Sequence, residues 1–186
     1  MNHQFATLLG EMIFIERQNQ FQTPDVVLYH PGHYVELNEH IINLFHEEGF
    51  KTIMIPYVHN RFLNTNEFIY HKKILVELGI PEKRIIPIIG EATTANDVIK
   101  NAMLHLCTTT VHKNILLAGK TFFMKRFLLI AAAYASNDMV IDVLPLQDYR
   151  NFTKDTWYLT DAGKKRVLNE YHIISQFLHE VLPTKC

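Results

Sequence analysis

From about residue 25 onward the chain alternates between two hydrophobic periods, and this alternation restricts its fold more than any other feature. Short, nearly continuous apolar runs occur at Val26–Tyr29, Thr52–Pro56, Ile85–Ile89, Asn114–Ala118 and Val140–Leu144. They have strand length and the unbroken apolar character of parallel strands buried on both faces. Helical spacing predicts helices at about Tyr34–Glu48, Thr65–Leu78, Thr94–Leu106, Thr121–Ala135 and Thr160–Val181, with Gly49, Gly79 and Pro81 as stops. Strand–helix–strand crossovers are right-handed almost without exception, so the helices must lie on two sides of the sheet. The expected fold is α/β, with a doubly wound, mostly parallel five-stranded sheet.

At 186 residues, 48% apolar and 20% charged, the chain is expected to fold as a single domain over residues 1–186. Residues 1–22 are expected to carry a helix packed on that domain. The stretch Phe5–Ile15 lacks a preceding basic residue and a small-residue cleavage site, and Glu11 interrupts it, so it reads as an amphipathic helix covering the sheet. It is also shorter than the roughly 20 apolar residues needed to span a bilayer. With 18 Lys and Arg against 19 Asp and Glu, no net field favours a polyanion or an anionic membrane. Neither nucleic acid nor membrane insertion is expected. Cys107 and Cys186 supply no disulfide framework and no metal spacing, which suits a cytoplasmic location. The polar, aromatic stretch Pro145–Tyr158 is long enough to act as a lid.

In such sheets the ligand crevice lies outside the carboxyl ends of the strands. That rule selects the segments that begin at Tyr29, Tyr57, Gly90, Gly119 and Pro145. In the third, Thr94 and Asp97 are spaced as a near capping box, which alone would account for them, while Thr93 is an alternative cap. Glu91 and Asn96 are less easily explained by capping. A carboxylate there would repel a bare phosphate, so this corner suits a hydroxyl pair such as a ribose diol, a cationic group or a salt bridge.

Gly119-Lys120-Thr121 is not a phosphate loop of the Walker type, because Asn114 occupies the position of its first glycine. Lys120 remains as a cation at a strand end. Arg126 can pair with Glu91 or grip an anion from the next helix, or, with Lys125, form a solvated basic face. His30, His33 and His59 all fall at strand ends; His30 and His59 are expected to line the ligand crevice, and a three-histidine metal site is conceivable, although no spacing supports it and no metal is expected. Trp157, Tyr149 and Phe152 can pack over a planar ligand or anchor the core. There is no G-x-S-x-G elbow and no G-x-G-x-x-G after the first strand.

The run Ile80-Pro81-Glu82-Lys83-Arg84-Ile85, the segment Glu91 to Asp97 and the later Lys120 to Arg126 resemble, in order and spacing, the YdcF-like proteins. These are relatives of the SanA and ElyC envelope proteins. Trp157 to Gly163, with Arg166, Val167 and Glu170 after it, resembles the carboxyl end of one YdcF-like branch. The likeness spans roughly residues 24–180. It implies a three-layer, Rossmann-like domain with largely unassigned activity, linked to nucleotide-type ligands such as S-adenosylmethionine and to bacterial envelope biogenesis. Glu91, Thr93, Thr94, Asn96, Lys120, Arg126 and, more weakly, Glu67 match family positions. Phe123 stands where many members carry histidine, and Tyr29-His30-Pro31-Gly32 replaces a glycine pair.

Three readings follow. The first is a domain binding a nucleotide-type small molecule in the crevice, with transferase or hydrolase chemistry open. The second is a non-catalytic sensor or adaptor that uses the same crevice, with helix surfaces for a protein partner or a second copy. The third is metal-assisted hydrolysis by His30, His33 and His59.

Overall fold

Alternate side chains of β1 (Val26–His30) enter two different cores. Val26 and Leu28 join Ile115 and Leu117 of β6 (Asn114–Lys120) on one side of the sheet. Val27 and Tyr29 join Leu116 and Ala118 on the other. The period of two, apolar in both phases, is why these strands lie at the centre of the sheet.

The computed structural model describes residues 2–108 and 112–182. Cys186 lies outside the described residues. The remaining central strands are β2 (Thr52–Pro56), β5 (Ile85–Ile88) and β7 (Val140–Leu146). Their order is β5-β2-β1-β6-β7, and every pairing is parallel. Helices α2 (Leu37–Glu47) and α3 (Glu67–Glu77) cover one face through Leu37, Ile41, Leu44 and Leu75. Helices α4 (Ala95–Thr108) and α5 (Met124–Tyr134) cover the other, with Phe177 of α6 (Asp161–Val181). The fold is thus a three-layer, Rossmann-like α/β sandwich, and its strand order turns back between β1 and β6.

Several boundaries differ from the sequence expectation for local reasons. Helix α2 starts at Leu37 instead of Tyr34, because the preceding backbone bonds (Leu37 N to Tyr34 O, Asn38 N to Val35 O) close tight three-residue turns. Thr65 and Asn66 form a small strand, β4, antiparallel to β3 (His59–Asn60). Asn66 Oδ1 accepts from Phe68 N at 2.9 Å and Ile69 N at 3.4 Å, so the helix begins after this cap. Strands β6 and β7 run on to Lys120 and Leu146, which are in register, so Gly119, Lys120, Pro145 and Leu146 belong to the sheet instead of to loops. The lid-like stretch shortens accordingly and ends in a 3-10 turn at Trp157–Leu159.

Helix α1 (His3–Ile13) does not cover the sheet. Ala6 and Ile13 enter a third cluster with Phe122, Trp157 and Val167, while Phe5, Leu8 and Met12 face outward. Trp157 is a core anchor, 1% exposed. The chain after α1 is tied to the edge strand by Asp142, whose two carboxylate oxygens accept from Gln18 N (3.0 Å) and Gln20 N (3.1 Å). Among the described residues, no helix is long and apolar enough to cross a membrane.

Gly163 opens the last helix against the Trp157 turn. A Cβ at residue 163 would stand 2.1 Å from the Trp157 carbonyl oxygen, a backbone atom that cannot swing aside. Gly163→Ala is expected to destabilise the fold by about 1–3 kcal/mol, as overpacking does, and to weaken the docking of α1. Urea midpoints for the wild type and the variant check this.

Candidate functional site

Where neighbouring strands lead their helices to opposite sides of an open sheet, the ends of those strands cannot both be covered, and a crevice is left. Here the two strands are β1 and β6, ending in His30 and Lys120. The amine of Lys120 lies 4.6 Å from the centroid of the Tyr34 ring and 5.0 Å from that of Phe123. Only 7% of the residue is exposed, and its Nζ makes no hydrogen bond or ion pair to any described residue. The backbone beyond β1 passes it at Gly32, whose φ is +65°, and a Cβ there would lie 2.9 Å from Nζ. Burial, aided by the charge of Arg150, lowers the Lys120 pKa to about 8 against the opposing pull of Glu67 and Asp148.

The surroundings of Lys120 are also polar and buried. Glu67, at the start of α3, accepts a hydrogen bond from Asn60 Nδ2 (2.6 Å) at one oxygen, while Oε2 is buried with no partner. Burial holds its pKa above the ordinary value. His71 Nε2 donates to the Gly32 carbonyl at 2.9 Å, and Nδ1 lies 3.1 Å from the Asn38 side chain. Burial lowers His71 to about 4. His30, on the opposite face of the sheet end, packs 5.3 Å from the Phe127 ring with Nδ1 inaccessible and unpartnered. Burial, with the nearby charge of Lys120, lowers His30 to about 3.

A cleft of about 400 Å³, within the size range of small-molecule sites, opens between α4, α5 and α6; no strand residue lines it, so it is a groove between helices and not the crevice expected at the strand ends. Thr93, Thr94, Asn96, Asp97 and Arg126 line it, and Tyr134 and Phe177 contribute rings. The backbone N–H and hydroxyl groups of Thr93 and Thr94 all donate to Asp97 Oδ2 at 2.8–3.0 Å. Asp97 N returns a bond to Thr94 Oγ1, so the capping box is real. Partial burial pushes the Asp97 carboxyl up, but the bonds from Thr94 and Thr93 outweigh it and leave the group below its ordinary pKa.

Arg126 does not pair with Glu91. Its Nε donates to Glu170 Oε2 at 2.7 Å and Nη2 reaches Oε1 at 3.4 Å, while Nη1 donates to Asn96 Oδ1. The guanidinium also lies over the rings of Phe123 (4.8 Å) and Phe127 (5.4 Å). Both ends of the pair are buried, Glu170 completely. Burial raises the Glu170 pKa even with Arg126 opposing it. One buried pair therefore joins α4, α5 and α6.

The residues singled out from sequence divide into groups. Thr93, Thr94, Asn96 and Arg126 share the cleft, Lys120 and Glu67 lie at the β1–β6 turning point, and His30 sits between the two. Glu91 is exposed outside the cleft lining, with its carbonyl accepting from Asn101 Nδ2 at 3.0 Å. His59 is exposed in β3 and His33 stacks on Tyr34 and Phe62, so the three histidines do not converge. No group of three His, Cys, Asp or Glu side chains is placed to hold a metal among the described residues. Sequence reasoning did not single out His71, Asn38 or Arg150 as site residues. His71 carried the one available signal, a histidine at the buried phase of an amphipathic helix. Comparison with known protein-family models, curated proteins and solved structures finds no match.

Arg126→Ala leaves Glu170 buried without its cation and is expected to cost about 3–5 kcal/mol of stability, largely recovered when Glu170→Gln is added. Chemical denaturation of the single and double variants measures it. His30 and His71 are neutral in the folded protein, with pKa values of about 3 and about 4 that lie below the ordinary 6.5. The unfolded chain therefore binds protons first, and their contribution is complete above pH 6.5 and lost as pH falls from there. The expected slope is about 1.4 kcal/mol per pH unit per histidine, partly offset by proton uptake at Glu67 and Glu170. His71→Gln should flatten the fall in urea midpoint between neutral and mildly acidic pH.

Proposed function

We propose that this protein is a Rossmann-like domain that binds a nucleotide-type small molecule, with S-adenosylmethionine as the leading candidate. The observation that carries the reading is the cleft itself. Four polar residues chosen from sequence line it, together with the rings of Tyr134 and Phe177. The Asp97 oxygen left free by the capping box and the Asn96 amide suit a ribose diol, and Tyr134 and Phe177 suit a planar base. The resemblance to YdcF-like proteins points to the same class of ligand.

A second reading, a sensor or adaptor without turnover, is favoured by a particular feature. Phe123 occupies the place where the resemblance would put a histidine, and its ring packs between Lys120 and Arg126. The phenyl ring itself offers no acid or base, and Arg126 is spent on Glu170 and Asn96.

A thermal-shift series with S-adenosylmethionine, AMP and adenosine tests binding, since a ligand at 100 times its Kd should add about 2.7 kcal/mol to the folded state. Gln176→Trp, which fills the cleft from α6, should abolish the shift. No shift with any of the three overturns the reading. Chromatography of the ligand after prolonged incubation then separates the two versions: conversion indicates an enzyme, and unchanged ligand a sensor.

A further inference from the structure

The cleft at α4 and the buried amine on the other side of the Phe123 ring are separate features, and the capping and ion-pair network of the cleft does not use the amine. A lysine whose side chain is this far buried is normally paired with a carboxylate, because even partial loss of water is costly to an ammonium; the Nζ of Lys120 keeps a narrow contact with solvent. Lys120 has no such partner among the described residues. Its closest neighbours are the faces of Tyr34 and Phe123 and the Cβ-free backbone at Gly32. The rings offer it a partial compensation. The missing side chain at Gly32 leaves the amine open to a small oxygen-bearing group.

Two cations and two carboxylates bear on the amine, and the carboxylates are the less available of the four. Arg150, from the loop after β7, leans over the Tyr34 ring at 4.6 Å, and Arg166 of α6 lies over the Phe122 ring at 5.1 Å. Asp148 is already bound to Arg150, and Glu67 is held toward its protonated form by burial. His30 is neutral, and burial lowers His33 as well. Arg150 and Arg166 thus add positive charge around the amine, with Asp148 committed to Arg150 and the pKa of Glu67 raised by burial.

We propose that Lys120, with Arg150 and Arg166, forms an anion subsite at the β1–β6 turning point that receives a phosphate or sulfate-like group. This deepens the ligand reading above and rests on it only for the identity of the remainder of the ligand. An anion at Nζ would supply the missing partner and restore the ammonium. The amine, whose pKa is about 8 without a partner, would then take up about half a proton on binding at pH 8, and affinity would fall about tenfold per pH unit above that.

Inorganic sulfate is the cleanest probe, because it does not itself titrate in this range. The expected result for the intact chain is a saturable rise in melting temperature with sulfate at constant ionic strength. Calorimetric enthalpies at pH 8 should depend on the buffer by the amount that proton uptake requires. Lys120→Met should melt higher than the wild type in sulfate-free buffer, since it removes an unpaired buried charge, and should lose at least about tenfold in sulfate affinity. Lys120→Arg should keep the sulfate response if the Met variant does not fold. A rise that never saturates and is equal in wild type and Lys120→Met is only the general effect of an excluded salt and overturns the proposal. Adenosine and AMP separate it from the cleft reading. If both bind alike and Lys120→Met changes neither, the cleft stands and the anion subsite falls. If sulfate binding depends on Lys120 and no nucleotide binds, the subsite stands and the nucleotide reading falls. AMP binding that exceeds adenosine binding only while Lys120 is present places the phosphate of a nucleotide there.

Discussion

The buried pair of Arg126 and Glu170 is the interaction on which the arrangement of the helical side depends. An ion pair of this kind contributes little over a well-packed apolar pair, but it is strict about geometry. Arg126 must point from α5 toward α6, and its third nitrogen then commits Asn96 of α4. The side of its guanidinium lies on Phe123 and Phe127, which in turn bound His30. The walls of the cleft are therefore three helices held by one guanidinium, and the cleft's shape follows from that group.

The opposite side of the sheet end is organised around an imbalance. On the α4–α6 side the buried charges are matched, whereas around Lys120 they are not. His71 is fixed by Gly32 and Asn38, and Glu67 is half satisfied by Asn60. These contacts define a rigid, polar surround for an amine that none of them neutralises. In a native fold, buried polar atoms without partners are uncommon enough that several in one crevice mark it as distinct from the core.

The layered architecture was legible in the sequence because parallel central strands must be apolar in both phases, and Val26–Tyr29 and Asn114–Ala118 are. Strand order and the precise ends were not, since Gly119, Lys120, Pro145 and Leu146 have the composition of a loop and become strand only through pairing with each other. The small β3–β4 pairing was invisible for the same reason, as two residues cannot show a period. At the site, Thr94 and Asp97 announced their local bond by spacing, while the partner of Arg126 is 44 positions away in sequence and on a different helix. The position of His71 beneath Gly32 likewise depends on how α2 and α3 pack, which no local pattern encodes.

The attachment of α1 has a consequence for the order in which the molecule can be made. Ala6 and Ile13 have their apolar partners in Trp157 and Val167, and the backbone at Gln18 and Gln20 has its acceptor in Asp142. During synthesis these early residues emerge long before anything exists for them to rest on. Closing so wide a span is entropically slow and requires most of the sheet to be in place first. The first helix of the chain is thus among the last pieces to settle. In the interval it offers Phe5, Leu8 and Met12 together with the apolar face it will later bury, broken only by Thr7, Glu11 and the polar residues at its start.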